Sequence, residues 1–108
     1  MDLPDKIRAK IKLGMFEFSK HALDHSIIRG ISVEEIRQVF ETANLLEDYP
    51  VDKYGPSCLL FGQTRVGRLL HILCTHPSRP LIKIITLYEP DGTRWFRGRL
   101  RVDSPKQN

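Results

Sequence analysis

The sequence predicts an α+β domain: two N-terminal helices packed on a four-stranded antiparallel sheet, with a short basic helix ahead of them. Three observations predict it. Apolar residues recur with helical spacing up to about residue 42 and in extended runs beyond it. The links between the later runs are too short for crossover helices, so sequential strands run antiparallel. The 108-residue length holds one hydrophobic core and no second one.

Residues 4–13 alternate Ile7 and Ile11 with Lys6, Arg8, Lys10 and Lys12, a short basic amphipathic helix that Gly14 stops. Residues 15–18 form a brief extended lead-in. Ser19 can cap a helix over 20–29, with Gly30 as its stop and Leu23, Ile27 and Ile28 as its apolar side. The chain then restarts at once. Ser32 and Glu35 have the spacing of a capping box, and Ile36, Val39 and Phe40 give a buried face to a helix ending near Thr42. Four strands follow over 44–49, 57–62, 68–75 and 81–89. The 63–67 link is short enough for a hairpin, and His76-Pro-Ser-Arg-Pro80 is a second tight connection. The sheet has to bury one face, and the two preceding amphipathic helices are its natural cover. The chain thus divides into an N-terminal basic helix (1–14), a core (15–97) and a basic tail (98–108) expected to fray.

Composition excludes some classes. No apolar stretch approaches the roughly 20 residues that span a bilayer, and the N-terminus has no signal-like apolar region. The expectation is a cytoplasmic protein with no membrane partner. Cys58 and Cys74 lack CxxC or metal-ligand spacing and read as reduced core thiols. Charge is informative by position. Residues 32–55 carry two cations against six anions, and residues 56–108 carry nine against three. Within the latter, Arg94, Arg97, Arg99 and Arg101 interleave with Trp95 and Phe96. Arginine forks suit phosphates and aromatic faces suit unstacked bases, whereas the plainer reading is a terminal segment docked by its aromatics.

The chemistry-bearing pattern lies in FSKHALDHSIIRGIS, where His21, His25 and Arg29 follow at four-residue steps and share one helix face. Three readings are open: a metal site, acid–base chemistry on a phosphate, or a polar surface. As a metal site, HxxxH supplies two ligands and needs a third from His71, His76, Asp24 or Glu89; no HExxH is present, and no bound metal or other cofactor is expected. As a phosphate site, Arg29 anchors charge while a histidine exchanges protons near neutral pH. RNA cleavage through the 2′-hydroxyl needs a base, an acid and cations, and no metal. His71 lies mid-strand, on the face opposite Leu70 and Ile72, while Tyr88 and Glu89 end the fourth strand at an open edge. A histidine, a tyrosine, a carboxylate and several arginines can form such a site. The bland readings are a core His71, a rim-packed Tyr88, a Glu89 paired with Arg94 or capping a turn, an Arg29 bracing the helix corner, and a His25 that faces solvent as a spectator.

FSKHALDHSIIRGISVEEI, followed by EDYP, PSCLLFGQT, RLLHIL and ITLYEPD, resembles the domain-of-unknown-function 4258 family of small bacterial proteins from Phe16 to about Trp95. That family in turn resembles, more distantly, toxins of the RelE, BrnT and MqsR type. The resemblance implies a RelE-like fold and a metal-independent endoribonuclease toxin that cleaves mRNA, in some cases on the ribosome. It also implies a separate antitoxin protein, a small zinc-finger one in the MqsR setting. The positions it carries over are His21, Arg29, His71, Tyr88 and Glu89, with Arg94, Arg97, Arg99 and Arg101 as phosphate-binding candidates. Position 25 departs from it, since arginine is commoner there than His25. Lys83 is the only lysine within a predicted strand, whereas RelE-type toxins lean on several sheet cations. The alternative is a non-enzymatic module that binds RNA or protein through the same basic face.

Overall fold

The structure, a computed structural model, describes residues 1–53 and 55–90 and the backbone of the short strands 95–96 and 100–101. Its order is α1 (Leu3–Lys12), β1 (Phe16–Phe18), α2 (Lys20–Ile28), α3 (Val33–Glu41), β2 (Asn44–Tyr49), β3 (Ser57–Gln63), β4 (Leu69–Thr75) and β5 (Ile82–Tyr88). Beyond these, Trp95–Phe96 (β6) pairs antiparallel with Leu100–Arg101 (β7). Arg94, Arg97 and Arg99 lie outside the described residues, as does most of the predicted tail.

The helix termini follow their local chemistry. Asp2 caps α1 by accepting from the Asp5 N–H, and Ser19 caps α2 by accepting from the Ala22 N–H. The Ser32–Glu35 capping box at α3 is present in both directions. Gly30 takes φ +63° after α2, which lets the Ile31 N–H return to the Ser26 carbonyl at 2.8 Å and turns the chain into α3.

The sheet corrects the four-stranded antiparallel expectation: it has five strands, ordered β1-β5-β4-β3-β2, and is mixed. The predicted lead-in Phe16–Phe18 is itself a strand, parallel to β5, with Phe16 opposite Ile82 and Phe18 opposite Ile84. Three residues carry little strand signal alone, and β5, more than sixty residues away, supplies the partner. The remaining neighbours pair antiparallel. Cys58, Leu60 and Gly62 of β3 oppose Cys74, Ile72 and Leu70 of β4, and this face packs on the helices. Both cysteines are free and buried. The β4–β5 register shifts between Leu73 and Cys74, where Ile85 is the extra residue, so Ile82, Ile84 and Leu87 all reach the helix side. Leu59, Phe61, His71, Leu73, Thr86 and Tyr88 occupy the opposite face.

The N-terminal helix is part of the core, since Ile7 and Ile11 are buried in it. Arg8 fastens α1 to the end of α3, donating from Nε to the Phe40 carbonyl and from Nη2 to the Ala43 carbonyl, each at 2.8 Å. The second helix departs from expectation. Its buried residues are Ala22 and Ser26, while Leu23, Ile27 and Ile28 are 48%, 71% and 79% exposed. The reason lies in where α2 runs. It continues beside β5 where β1 stops, with the Ser19 N–H on the Ile84 carbonyl and Ser19 Oγ donating to the Ile85 carbonyl. Small residues let a helix approach a strand edge closely, and α2 shields that edge as β1 does lower down. Gly62 marks a second close approach: a Cβ there would sit 2.5 Å from the Val39 carbonyl oxygen.

Candidate functional site

Two clusters bring together four of the predicted site residues, His71 with Tyr88 and His21 with Arg29. The first is in the sheet. His71 of β4 is wholly buried, and its Nδ1 lies 3.3 Å from the Tyr88 hydroxyl of β5. The register places these residues directly opposite each other, with their rings 5.2 Å apart and edge-to-face. Phe61 of β3 meets the other side of the imidazole at 5.9 Å, also edge-on. Phenol and imidazole can pass or share a proton in either direction, depending on the tautomer. Tyr88 is half-buried and borders a depression of about 370 Å³ on this face, lined also by Tyr49, Asp52, Ser57, Leu59, Leu73 and Thr86. Tyr88 is therefore the member of the pair that faces a ligand-sized space.

The second cluster is on α2. His21 is exposed and stacks on His25, ring centroids 3.9 Å apart and tilted by 37°. Partial burial lowers the His25 pKa from the usual imidazole range, and the His21 and Arg29 charges push it the same way. Its Nδ1 is buried without a hydrogen-bond partner among the described residues. Arg29, itself exposed, turns one guanidinium N–H towards the Leu87 carbonyl at 3.4 Å, in keeping with the bracing role.

His71 and Tyr88 are thus brought together, as are His21, His25 and Arg29. His21 and His71 are not in one environment: one is exposed on a helix and the other is enclosed in the sheet. Glu89 is held by Arg68, which donates from Nε at 3.1 Å and from Nη2 at 3.3 Å. Arg101 lies on a described strand, but only its backbone is described.

Arg68 is the residue that sequence reasoning missed. Its guanidinium also donates to the carbonyls of Arg29 and Gly30, both at 2.9 Å, and to both oxygens of Glu35. One side chain thereby locks the α2–α3 corner to the start of β4 and the end of β5. Hydrogen bonding from the Ser32 backbone and then the Arg68 contact hold the Glu35 carboxyl below its ordinary pKa. No motif around Arg68 signals this, because each described partner of its guanidinium is at least 21 positions away. Tyr49, Asp52 and Thr86 at the depression were missed for the same reason.

Of the residues considered as a third metal ligand, His76 bonds Asp48 at 2.7 Å, Asp24 bonds Lys20 at 2.9 Å, and Glu89 is on Arg68. Among the described residues, no three His, Cys, Asp or Glu side chains converge as a metal site. No described helix is long and apolar enough to cross a membrane.

The family model for a domain of unknown function, DUF4258, matches residues 18–89. The chain belongs to the DUF4258 family. That span runs from the last residue of β1 to Glu89, and both clusters and Arg68 lie inside it. No curated protein and no solved structure matches the chain.

Proposed function

We propose that this DUF4258 protein is a RelE-like, metal-independent endoribonuclease of a toxin–antitoxin pair. The observation that carries the reading is the His71–Tyr88 pair, an imidazole against a phenol beside a depression on the sheet face opposite the helix-packed one. Helices followed by a largely antiparallel sheet agree with the RelE-like arrangement. The excess of cations after residue 56 agrees with an RNA partner.

In this reading a base takes the proton of a 2′-hydroxyl, and the freed oxygen attacks the adjacent phosphorus. The 5′-oxygen then leaves with a proton from the acid, giving a 2′,3′-cyclic phosphate and a 5′-hydroxyl. His71 and His21 handle protons, with Tyr88 orienting or donating and Glu89 as a further carboxylate. Arg29, Arg94, Arg97, Arg99 and Arg101 hold phosphates and offset charge on the phosphorane. The RNA is mRNA, free or on the ribosome, and a separate antitoxin protein, of zinc-finger type in one setting, silences the chain. Expression of the chain is expected to arrest growth, with relief by a neighbouring gene's product. His71→Gln combined with His21→Gln is expected to leave the fold intact and abolish cleavage, and full activity in that variant overturns the assignment.

A specific observation favours a second reading. His71 has no exposed surface and Glu89 is occupied by Arg68, which suits a module that binds RNA or protein without turnover. Such a module is expected to bind through its basic face and to weaken steeply as salt rises.

A further inference from the structure

The α2 stripe carries an observation that the nuclease reading does not use. A buried imidazole nitrogen without a partner among the described residues calls for an explanation, and ion binding is one of the few available. In the tautomer with its proton on Nε2, His25 Nδ1 is a lone pair. It needs a hydrogen-bond donor or a Lewis acid. The side chain stacked on it is a second imidazole, His21, one helical turn away and exposed on its outer side.

We infer that His21 and His25 form a two-nitrogen chelating site on α2 for a borderline divalent transition ion such as Cu²⁺, Ni²⁺ or Zn²⁺. Histidine nitrogens bind zinc at about 2.0–2.1 Å, so two of them on a tetrahedral ion lie roughly 3.3 Å apart. Two imidazoles on one ion stand farther apart than stacked rings, so ligation asks both side chains to rotate out of their 3.9 Å stack until the lone pairs converge, a movement that positions one helical turn apart permit without shifting the helix. Two donors leave open positions for water or an external ligand, which agrees with the lack of a third converging side chain among the described residues. The neighbouring cations do not forbid the site. Lys20 is paired with Asp24 at 2.9 Å, and Arg29 is turned towards the Leu87 carbonyl. Imidazole donors select this class of ion over Mg²⁺ or Ca²⁺, which prefer oxygen ligands.

The site goes beyond the nuclease reading and opposes it in one respect: an ion on His21 removes a proposed proton carrier. The test therefore uses no RNA. Full-length, tag-free protein is stripped with EDTA, dialysed and titrated with Cu²⁺ alone, followed by calorimetry and electron paramagnetic resonance. The expected result is one Cu²⁺ per chain with two nitrogens in its coordination shell. His21→Ala, at an exposed position, is expected to weaken binding at least tenfold and leave one histidine nitrogen. His25→Gln is expected to do the same, and His76→Gln to leave the isotherm unchanged. Unchanged binding in His21→Ala, loss of binding in His76→Gln, or no Cu²⁺ uptake by the parent protein overturns the assignment. A protein that binds Cu²⁺ this way and does not cut RNA keeps the site and loses the nuclease reading.

Discussion

Replacing Arg68 with alanine tests how the two clusters are held in one frame. The guanidinium supplies two charge-assisted bonds to the Arg29 and Gly30 carbonyls and two carboxylate contacts. A hydrogen bond to a charged group contributes about 1.5–3 kcal/mol where water is excluded. Here Arg29 and Gly30 are exposed, so their carbonyls regain water after truncation and about 1 kcal/mol each is the fair figure. The Glu35 side chain is 26% exposed and that of Glu89 is 54% exposed, so the first ion pair adds up to about 1 kcal/mol and the second little. The expected loss is about 3 kcal/mol for Arg68→Ala. Arg68→Lys keeps the charge but cannot span four partners, and about half of the loss is expected. Glu89→Ala is expected to cost about 0.5 kcal/mol or less. Urea unfolding with a shared slope measures all three. An Arg68→Ala variant within about 0.5 kcal/mol of the parent refutes the hub, as does a Glu89→Ala loss of equal size.

Gly62→Ala is expected to cost about 1–3 kcal/mol in the same assay, because its Cβ meets the Val39 carbonyl oxygen at 2.5 Å and α3 has to retreat. Ile28→Ser, 79% exposed, is expected to stay within about 0.5 kcal/mol, while the buried Ile36→Ala costs about 2–5 kcal/mol; equal losses would place the apolar side of α2 in the core after all. Because the folded-state pKa of Glu35 is depressed, its stabilisation is fully present above the ordinary carboxylate pKa. It is lost as pH falls through the folded value. Glu35→Gln is therefore expected to flatten the acid limb of a stability–pH curve below about pH 4.5 and to lower the neutral plateau.

What could be read from the sequence was local chemistry. Ser19, Ser32 with Glu35, and Gly30 set the helix ends within reach of their own side chains, and each acts as expected. Strand alternation also placed His71 opposite Leu70 and Ile72. The misreadings share a cause, which is dependence on distant partners. Phe16–Phe18 becomes a strand only because β5 presents an edge to it. The extra residue at Ile85 resets which β5 side chains face the helices, and no local pattern announces it. The inward side of α2 is chosen by how closely it sits on β5, so Ala22 and Ser26 displace the larger apolar residues. The site divides in the same way: the His21–His25–Arg29 spacing is local and legible, while the meeting of His71 with Tyr88 depended on register.

The most direct measurement is incubation of EDTA-treated protein with a mixed-sequence RNA, with and without ribosomes, followed by mapping of the cut ends. The nuclease reading expects ends bearing 2′,3′-cyclic phosphates, lost in a folded His71→Gln variant and slowed in Tyr88→Phe. RNA left uncut under every condition, or equal cleavage by His71→Gln, contradicts it and transfers the account to a binding module.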